Sequence, residues 1–258
     1  MDRKFYMILG EGGVFFLILF TGFLLTYRSF NKEIQVGNQQ KNFLLAITHE
    51  LKTPIASLKL YLQTLLKRNL NPKKQEEILN KSVKDADRLN ALVENILLAT
   101  KIDDNGLPLN PEELDLSSMM EKVTLDMLES SGKTVNVEFF IQPSVYFNGD
   151  KDAFYSILIN LVGNALKYTP EESTMCVTLV QKGNEIALSI SDEGPGVSNS
   201  EVEKIFEKFY RSGNEETRSQ KGTGLGLYIV KKLVEQHNGM VQVKPNVPKG
   251  SIFVASFR

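Results

Sequence analysis

The longest run of apolar positions lies near the N-terminus, from Val14 to Leu25, and only Thr21 and Gly22 interrupt it. Extended from Met7 to Tyr27, it makes a helix of about 31 Å, enough to cross a hydrocarbon layer of ~30 Å. Arg3, Lys4, Tyr6, Tyr27 and Arg28 suit the two interfaces, where aromatic rings and snorkelling cations settle. Glu11 falls about one turn inside the span, where it reaches headgroups or protonates rather than sit charged in lipid. A charged helical pattern follows the run and no small-x-small site does, which argues against a cleaved leader. Basic residues flank both ends, so charge leaves the orientation open.

From Ser29 to Arg68 a helical period takes over, with Gly37 and Pro54 as its interruptions. Leu44, Ile47, Leu51, Pro54, Leu58, Tyr61 and Leu65 alternate spacings of three and four, the a and d positions of a heptad. Asn69-Leu70-Asn71-Pro72 reads as a turn, with Pro72 suited to the first turn of a second helix reaching Ile102. Its seam is Ile78, Ser82, Asp85, Leu89, Leu92, Ile96 and Ala99. Val83, Ala86, Val93 and Leu97 widen the apolar stripe beyond what two antiparallel helices cover, which predicts that two hairpins pair into a four-helix bundle.

Asp103-Asp104-Asn105-Gly106-Leu107-Pro108 reads as a linker, after which the pattern becomes mixed. Helices are predicted at 117–131, 151–167 and 223–237, and strands at 134–141, 174–181, 185–191, 239–244 and 251–257. Helices interleaved with strands joined mostly as hairpins predict an α/β sandwich with helices on one sheet face. The fold class expected is therefore α+β. Its three parts are a membrane segment at 1–28, a helical hairpin at 29–105 and a sandwich at 106–258.

Composition narrows the chemistry. With 24% charged residues and a net charge of -1, the 258-residue chain is neither an acidic disordered tail nor a basic nucleic-acid binder. One cysteine, Cys176, excludes a disulfide framework and any multi-cysteine metal site. It falls in an alternating strand, where burial is the expectation. His49 and His237 are too far apart in sequence for a local metal pair; His237 precedes Asn238-Gly239 as a helix-terminal cation before a glycine cap. Met119 and Met120 read as packing.

Three constellations carry chemistry. In Thr48-His49-Glu50-Leu51-Lys52-Thr53-Pro54, His49 takes the heptad position farthest from the seam, where a solvated imidazole can attack an electrophile. Glu50 can accept the ring's other N–H, and the hydroxyl of Thr53, four residues on, shares the His49 face. Pro54 removes an N–H and crowds the carbonyl of Glu50, so a bend is predicted. In the second, Asn160 and Asn164 stand four apart on a helix, where neutral amide oxygens suit a Mg2+ ion that keeps phosphate and water as its other ligands. Lys167 and Tyr168 follow with a phosphate partner and a ring. In the third, Asp192-Glu193-Gly194-Pro195-Gly196 ends a strand, and Lys221-Gly222-Thr223-Gly224-Leu225-Gly226-Leu227 opens a helix whose amides are free to meet phosphate. Its glycine spacing does not fit the dinucleotide fingerprint.

Together and in this order, these segments resemble the membrane-bound sensor histidine kinases of bacterial two-component systems, from about Phe43 to Phe257. The H-box corresponds to His49–Pro54, the N-box to Asn160–Tyr168 and the G1 box to Asp192–Gly196. The F-box corresponds to Phe206–Arg211 and the G2 box to Gly222–Gly226. The resemblance implies a homodimer with a phosphotransfer hairpin and an ATP-binding domain of the gyrase/Hsp90/kinase/MutL type, closed by a lid at about 198–221. It implies that His49 takes the γ-phosphoryl group of ATP, that Glu50 is its base, and that Asn164 ligates Mg2+ with Asn160 nearby. Lys167 would contact phosphate, Tyr168 would line the base and Asp192 would bind the adenine amine. Gly194, Gly196, Gly222, Thr223, Gly224, Leu225 and Gly226 complete the implied ATP site, and Thr53 would position water for dephosphorylation. The implied partner is a response regulator that accepts the phosphoryl group on aspartate. The implied location is the cytoplasmic membrane, single-pass, with the catalytic part in the cytoplasm, and no nucleic acid is expected. Two rivals are an ATPase of the same superfamily that does not phosphorylate itself and a kinase-dead nucleotide-binding scaffold.

One departure is visible. The family's usual sensor has two spans around an external domain and often a HAMP relay, but here His49 follows Tyr27 by 22 residues, too few for that relay. Either the stimulus is read in the membrane or by a partner, or the chain is the C-terminal part of a longer one.

Overall fold

Helix α1 runs from Asp2 to Lys67 and helix α2 from Pro72 to Asn105. The structure, a computed structural model, describes residues 2–105, 107–211 and 222–258, with backbone alone for 2–10, 104 and 105. The interface positions predicted at Arg3, Lys4 and Tyr6 thus lie outside the described side chains, as Lys221 and Gly106 lie outside the described residues. The chain divides into two units, residues 1–45 and 46–258. In the first, every residue from Val14 to Leu25 is exposed, and the helix is long and apolar enough to cross a membrane.

In the second unit, the Asn71 side chain accepts the amide of Lys74 at 2.8 Å and so caps α2. The predicted seams hold except at Leu44, which is exposed: Pro54 and Ala99 are buried, and Ile47, Leu51, Leu58, Tyr61, Leu65, Leu89, Leu92 and Ile96 are half-buried. The widening positions Val83, Ala86, Val93 and Leu97 stay exposed, as do Ile55, Leu62 and Leu66. The expected linker is partly helix instead. Helix α2 continues through Asn105, because Asp103 is tied to the Lys208 ammonium and the Tyr228 hydroxyl. Burial raises the Asp103 carboxyl, but these two bonds outweigh it and hold the group below the usual carboxylate range.

Beyond α2 the order is β1 (Pro111–Asp115), α3 (Leu116–Ser131), β2 (Asn136–Ile141), β3 (Tyr146–Asp150), α4 (Lys151–Tyr168), β4 (Thr174–Lys182) and β5 (Glu185–Asp192). Then come α5 (Gly226–Gln236), β6 (Met240–Pro245) and β7 (Ser251–Phe257). Five strands form one sheet in the order β2-β4-β5-β7-β6, antiparallel except for the β2–β4 pair. Every second residue faces inward: Met175, Val177 and Leu179 on β4, Ile186, Leu188 and Ile190 on β5, Phe253, Ala255 and Phe257 on β7. Against them pack Phe154, Ile157, Leu158 and Leu161 of α4 and Ile229, Val230 and Leu233 of α5.

Four expectations need correction. A second sheet, β1 with β3, went unforeseen; each of its strands delivers an N-cap aspartate, Asp115 to α3 and Asp150 to α4. Helix α5 starts at Gly226, not at residue 223, because Gly224 at φ 73° is in the left-handed region. Cys176 is half-buried on the face opposite Met175 and Val177, its sulfur 3.7 Å from a Glu138 carboxylate oxygen. His237 is not a helix-end cation. It is buried; Nε2 accepts the Asp150 amide at 3.1 Å and Nδ1 lies 2.7 Å from the Leu233 carbonyl oxygen, a pair only the neutral Nδ1–H tautomer satisfies. The left-handed cap residue is Asn238, at φ 56°, whereas Gly239 is needed because a Cβ there would overlap the Ser256 carbonyl.

His237 therefore clamps the end of α5 to the start of α4. In His237→Phe the ring volume stays and the acceptor goes, leaving the Asp150 amide unpaired. Stability, read as the urea unfolding midpoint, should fall by about 1–3 kcal/mol. An unchanged midpoint would show that the amide had found another acceptor.

Candidate active site

Helix α4 turns one polar strip away from the core. Asn160, Asn164, Lys167 and Tyr168 are half-buried, while Leu161, Val162, Ala165 and Leu166 between them are buried. The strip thus has a rigid base, and its far end is held by Lys133, whose ammonium donates to the carbonyls of Leu166 at 2.6 Å and Thr169 at 3.0 Å. The Asn160 amide nitrogen donates to the Ser156 carbonyl at 2.9 Å, which leaves its oxygen against Gly226; a Cβ there would come within 2.6 Å of it. The Asn164 amide has no hydrogen-bond partner among the described residues. An unpartnered, half-buried neutral oxygen suits a hard cation whose other ligands are phosphate and water. No cluster of acidic, histidine or cysteine ligands offers another metal site among the described residues.

The ammonium of Lys167 bonds the Tyr168 hydroxyl at 3.2 Å and lies 4.7 Å from the centre of its ring. It also adjoins Gly222, since a Cβ there would stand 3.0 Å from it. The backbone of Tyr168 in turn meets Gly194, where a Cβ would fall 2.9 Å from the Tyr168 carbonyl oxygen. One end of α4 thus touches both glycine loops.

Asp192 closes β5 and is 3% exposed. Its carboxylate accepts the amides of Gly194, at 2.8 Å, and Ser251, yet burial dominates and pushes its pKa above the usual carboxylate range. Its carbonyl accepts the Asn246 side chain at 3.0 Å. A Cβ at Gly250, φ 117°, would overlap that carbonyl. Gly196, φ 81°, passes the Gly250 carbonyl closely, so the turn between β6 and β7 forms the wall behind Asp192.

In the second glycine loop the Phe209 amide donates to the Gly224 carbonyl at 3.1 Å, and a Cβ at residue 224 would stand 2.7 Å from the Tyr210 carbonyl oxygen. The Thr223 hydroxyl accepts the Leu225 amide at 3.4 Å. The Leu225 side chain is buried in the core, so its place in the expected ATP site would be through its backbone. The expected lid is described from Ser198 to Arg211, with a single 3-10 turn at Lys204–Phe206 and Phe206 buried; residues 212–221 lie outside the described residues.

His49 is exposed on α1, and its carbonyl accepts the Thr53 hydroxyl at 3.1 Å. Glu50 does not turn to the His49 ring, as the sequence suggests. One carboxylate oxygen accepts Arg88 of α2 at 2.8 Å and the other accepts the Gly222 amide at 3.1 Å. The reactive helix and the glycine loop that adjoins Lys167 therefore meet through Glu50. Sequence reasoning passed over Arg88, Lys133, Asn246 and Gly250. Only Arg88 left a usable signal: Glu50 and Arg88 each immediately precede a seam leucine, Leu51 and Leu89, where charged residues bridge paired helices.

The profile of the His Kinase A (phospho-acceptor) domain matches residues 39–105, and that of the histidine kinase-, DNA gyrase B- and HSP90-like ATPases matches residues 149–258. Sensor protein SrrB of Staphylococcus aureus (strain N315) is 29% identical over 236 residues, which are 91% of this chain and 40% of SrrB. The chain thus spans less than half the length of the curated relatives it matches. Among solved structures, the Acinetobacter baumannii histidine kinase AdeS is 26% identical, with a TM-score of 0.56 over 81% of this chain and 96% of AdeS. The mycobacterial sensor histidine kinase MprB is 27% identical, with a TM-score of 0.51 over 57% of this chain and 97% of its own. With a phospho-acceptor hairpin followed by this ATPase sandwich, the chain carries the two domains of a two-component histidine kinase and is similar to the sensor histidine kinases.

Proposed function

We propose that the chain is an ATP-dependent protein-histidine kinase that phosphorylates itself on His49 and hands the phosphoryl group to an aspartate of a response regulator. The observation that carries the reading is the Glu50–Gly222 hydrogen bond, which brings the His49 helix and the phosphate-type glycine loop together within residues 46–258. A ring nitrogen of His49 attacks the γ-phosphorus, an N–P bond forms, and the bond from that phosphorus to the β,γ-bridging oxygen breaks as ADP leaves. The proton on the other ring nitrogen is drawn by the Glu50 carboxylate, which raises the basicity of the attacking one. Lys167 and the amides of the second glycine loop, Gly222 to Gly226, hold phosphate, and the rest of the work is positioning and charge neutralisation. Asn164, with Asn160 beside it, would hold a Mg2+ ion, which when bound supplies positive charge against the phosphates. Asp192 accepts the adenine amine, Gly194 and Gly196 let the base approach, and Tyr168 lines it.

The exposed apolar positions of the hairpin, among them Ile55, Leu62, Leu66, Val83 and Leu97, support a homodimeric four-helix bundle. The exposed apolar helix before it supports a single-pass anchor in the cytoplasmic membrane, with the catalytic part in the cytoplasm. Boundaries at 28 and 105 follow from this reading.

The direct test is incubation of the protein with γ-labelled ATP and Mg2+, followed by mapping of acid-labile label. Label should be confined to His49, and His49→Ala should lose it while nucleotide affinity stays within about twofold. Label retained on another residue overturns the assignment.

Asp192→Asn should weaken ATP by about tenfold or more, because the adenine amine loses a charged acceptor, and should weaken inorganic triphosphate far less. Competition binding of both ligands decides it, and equal losses would make Asp192 purely structural.

Thr53→Ala removes a hydroxyl from the His49 face but no evident contact with nucleotide. Autophosphorylation should persist within about threefold, while dephosphorylation of the regulator slows by about tenfold or more. Because the hydroxyl also bonds the His49 carbonyl, a parallel fall in both rates would assign it to the helix backbone instead.

A further inference from the structure

We infer that Arg88 is the positioning residue for the Glu50 base; the inference rests on the kinase reading above. The Glu50 side chain is 11% exposed, and its two oxygens are divided between Arg88 on the hairpin side and the Gly222 amide on the nucleotide side. Gly222 also adjoins the Lys167 ammonium. The carboxylate therefore pairs with one cation, Arg88, on the helix side and reaches on the other side the loop that adjoins a second, Lys167. Arg88 is itself 48% exposed, and a pair screened by solvent on that side adds little to stability. Its contribution is directional. The guanidinium anchors one carboxylate oxygen, so the other can leave the Gly222 amide and take the His49 N–H without the side chain swinging free. Without Arg88, Glu50 turns to Lys167, pairs with the cation meant for phosphate and abandons the imidazole.

The effect belongs to the chemical step. In Arg88→Met, autophosphorylation at saturating ATP should fall by at least tenfold, up to the order of a hundredfold, with KM for ATP within about twofold of wild type. Arg88→Lys should recover part of the rate, and millimolar guanidinium should restore part of the activity of Arg88→Met but nothing in Glu50→Gln. The double variant Arg88→Met/Glu50→Gln should be no slower than Glu50→Gln alone, since a positioning group has nothing left to position. The measurements use the full chain with its dimeric state checked. Arg88→Met at the wild-type rate, additive losses in the double variant, or equal losses of rate and ATP affinity would each overturn the inference. Arg88→Lys repeats the rate and affinity readouts if the methionine variant does not fold. A wild-type chain without label on His49 would instead overturn the kinase reading, so the two failures are distinct.

Discussion

Burying the carboxylate of Asp192 is the constraint around which the ATP-binding half is built. A nearly inaccessible charge is costly unless donors converge on it, and here they come from the turn just after it and from β7 across the sheet. The Asn246 amide and the glycine at 250 fix its backbone from behind. Because its pKa is raised, the carboxylate is undersolvated even with these partners. A ligand amine that donates to it relieves that deficit. On the proposed reading, recognition of the adenine amine and relief of a folding penalty would be the same interaction.

The second organising contact is longer in range and weaker. Glu50 touches α2 and the glycine loop at once, across sequence separations of 38 and 172 residues. Asp103, at the other end of α2, bonds Lys208 and Tyr228, which lie on either side of the second glycine loop. Among the described residues the hairpin thus meets the sandwich through these polar bonds as well as through the buried Ala99 and Ile102 of α2. Polar contacts of this kind are readily exchanged for others, which suits the proposed step that brings nucleotide to His49 and then releases it.

The sandwich was legible because its strands bury alternate residues: Met175, Val177 and Leu179 announce β4 without help from tertiary context. Strands β1 and β3 were not, since Pro-Glu-Glu-Leu-Asp and Tyr-Phe-Asn-Gly-Asp have no alternation and exist only by pairing with each other. In the candidate site, α4 gathers Asn160, Asn164, Lys167 and Tyr168 of one motif on one strip, as their spacing predicts. What the motifs could not convey is partnership. The Arg88 bond to Glu50, the neutral tautomer of His237 and the burial of Leu225 each depend on a residue brought in by folding.

The register of the sheet carries an implication for synthesis. Asp192 lies opposite Ser251, and β5 is completed by β7, a strand that leaves the ribosome some sixty residues later. A nascent chain that has already made its hairpin, its N-box and its first glycine loop holds the Gly194 donor to Asp192 but still lacks the Ser251 amide and the Asn246 and Gly250 backing. On the proposed reading, nucleotide recognition would therefore wait for β7, and a translation product interrupted before it would present His49 with no means of charging it.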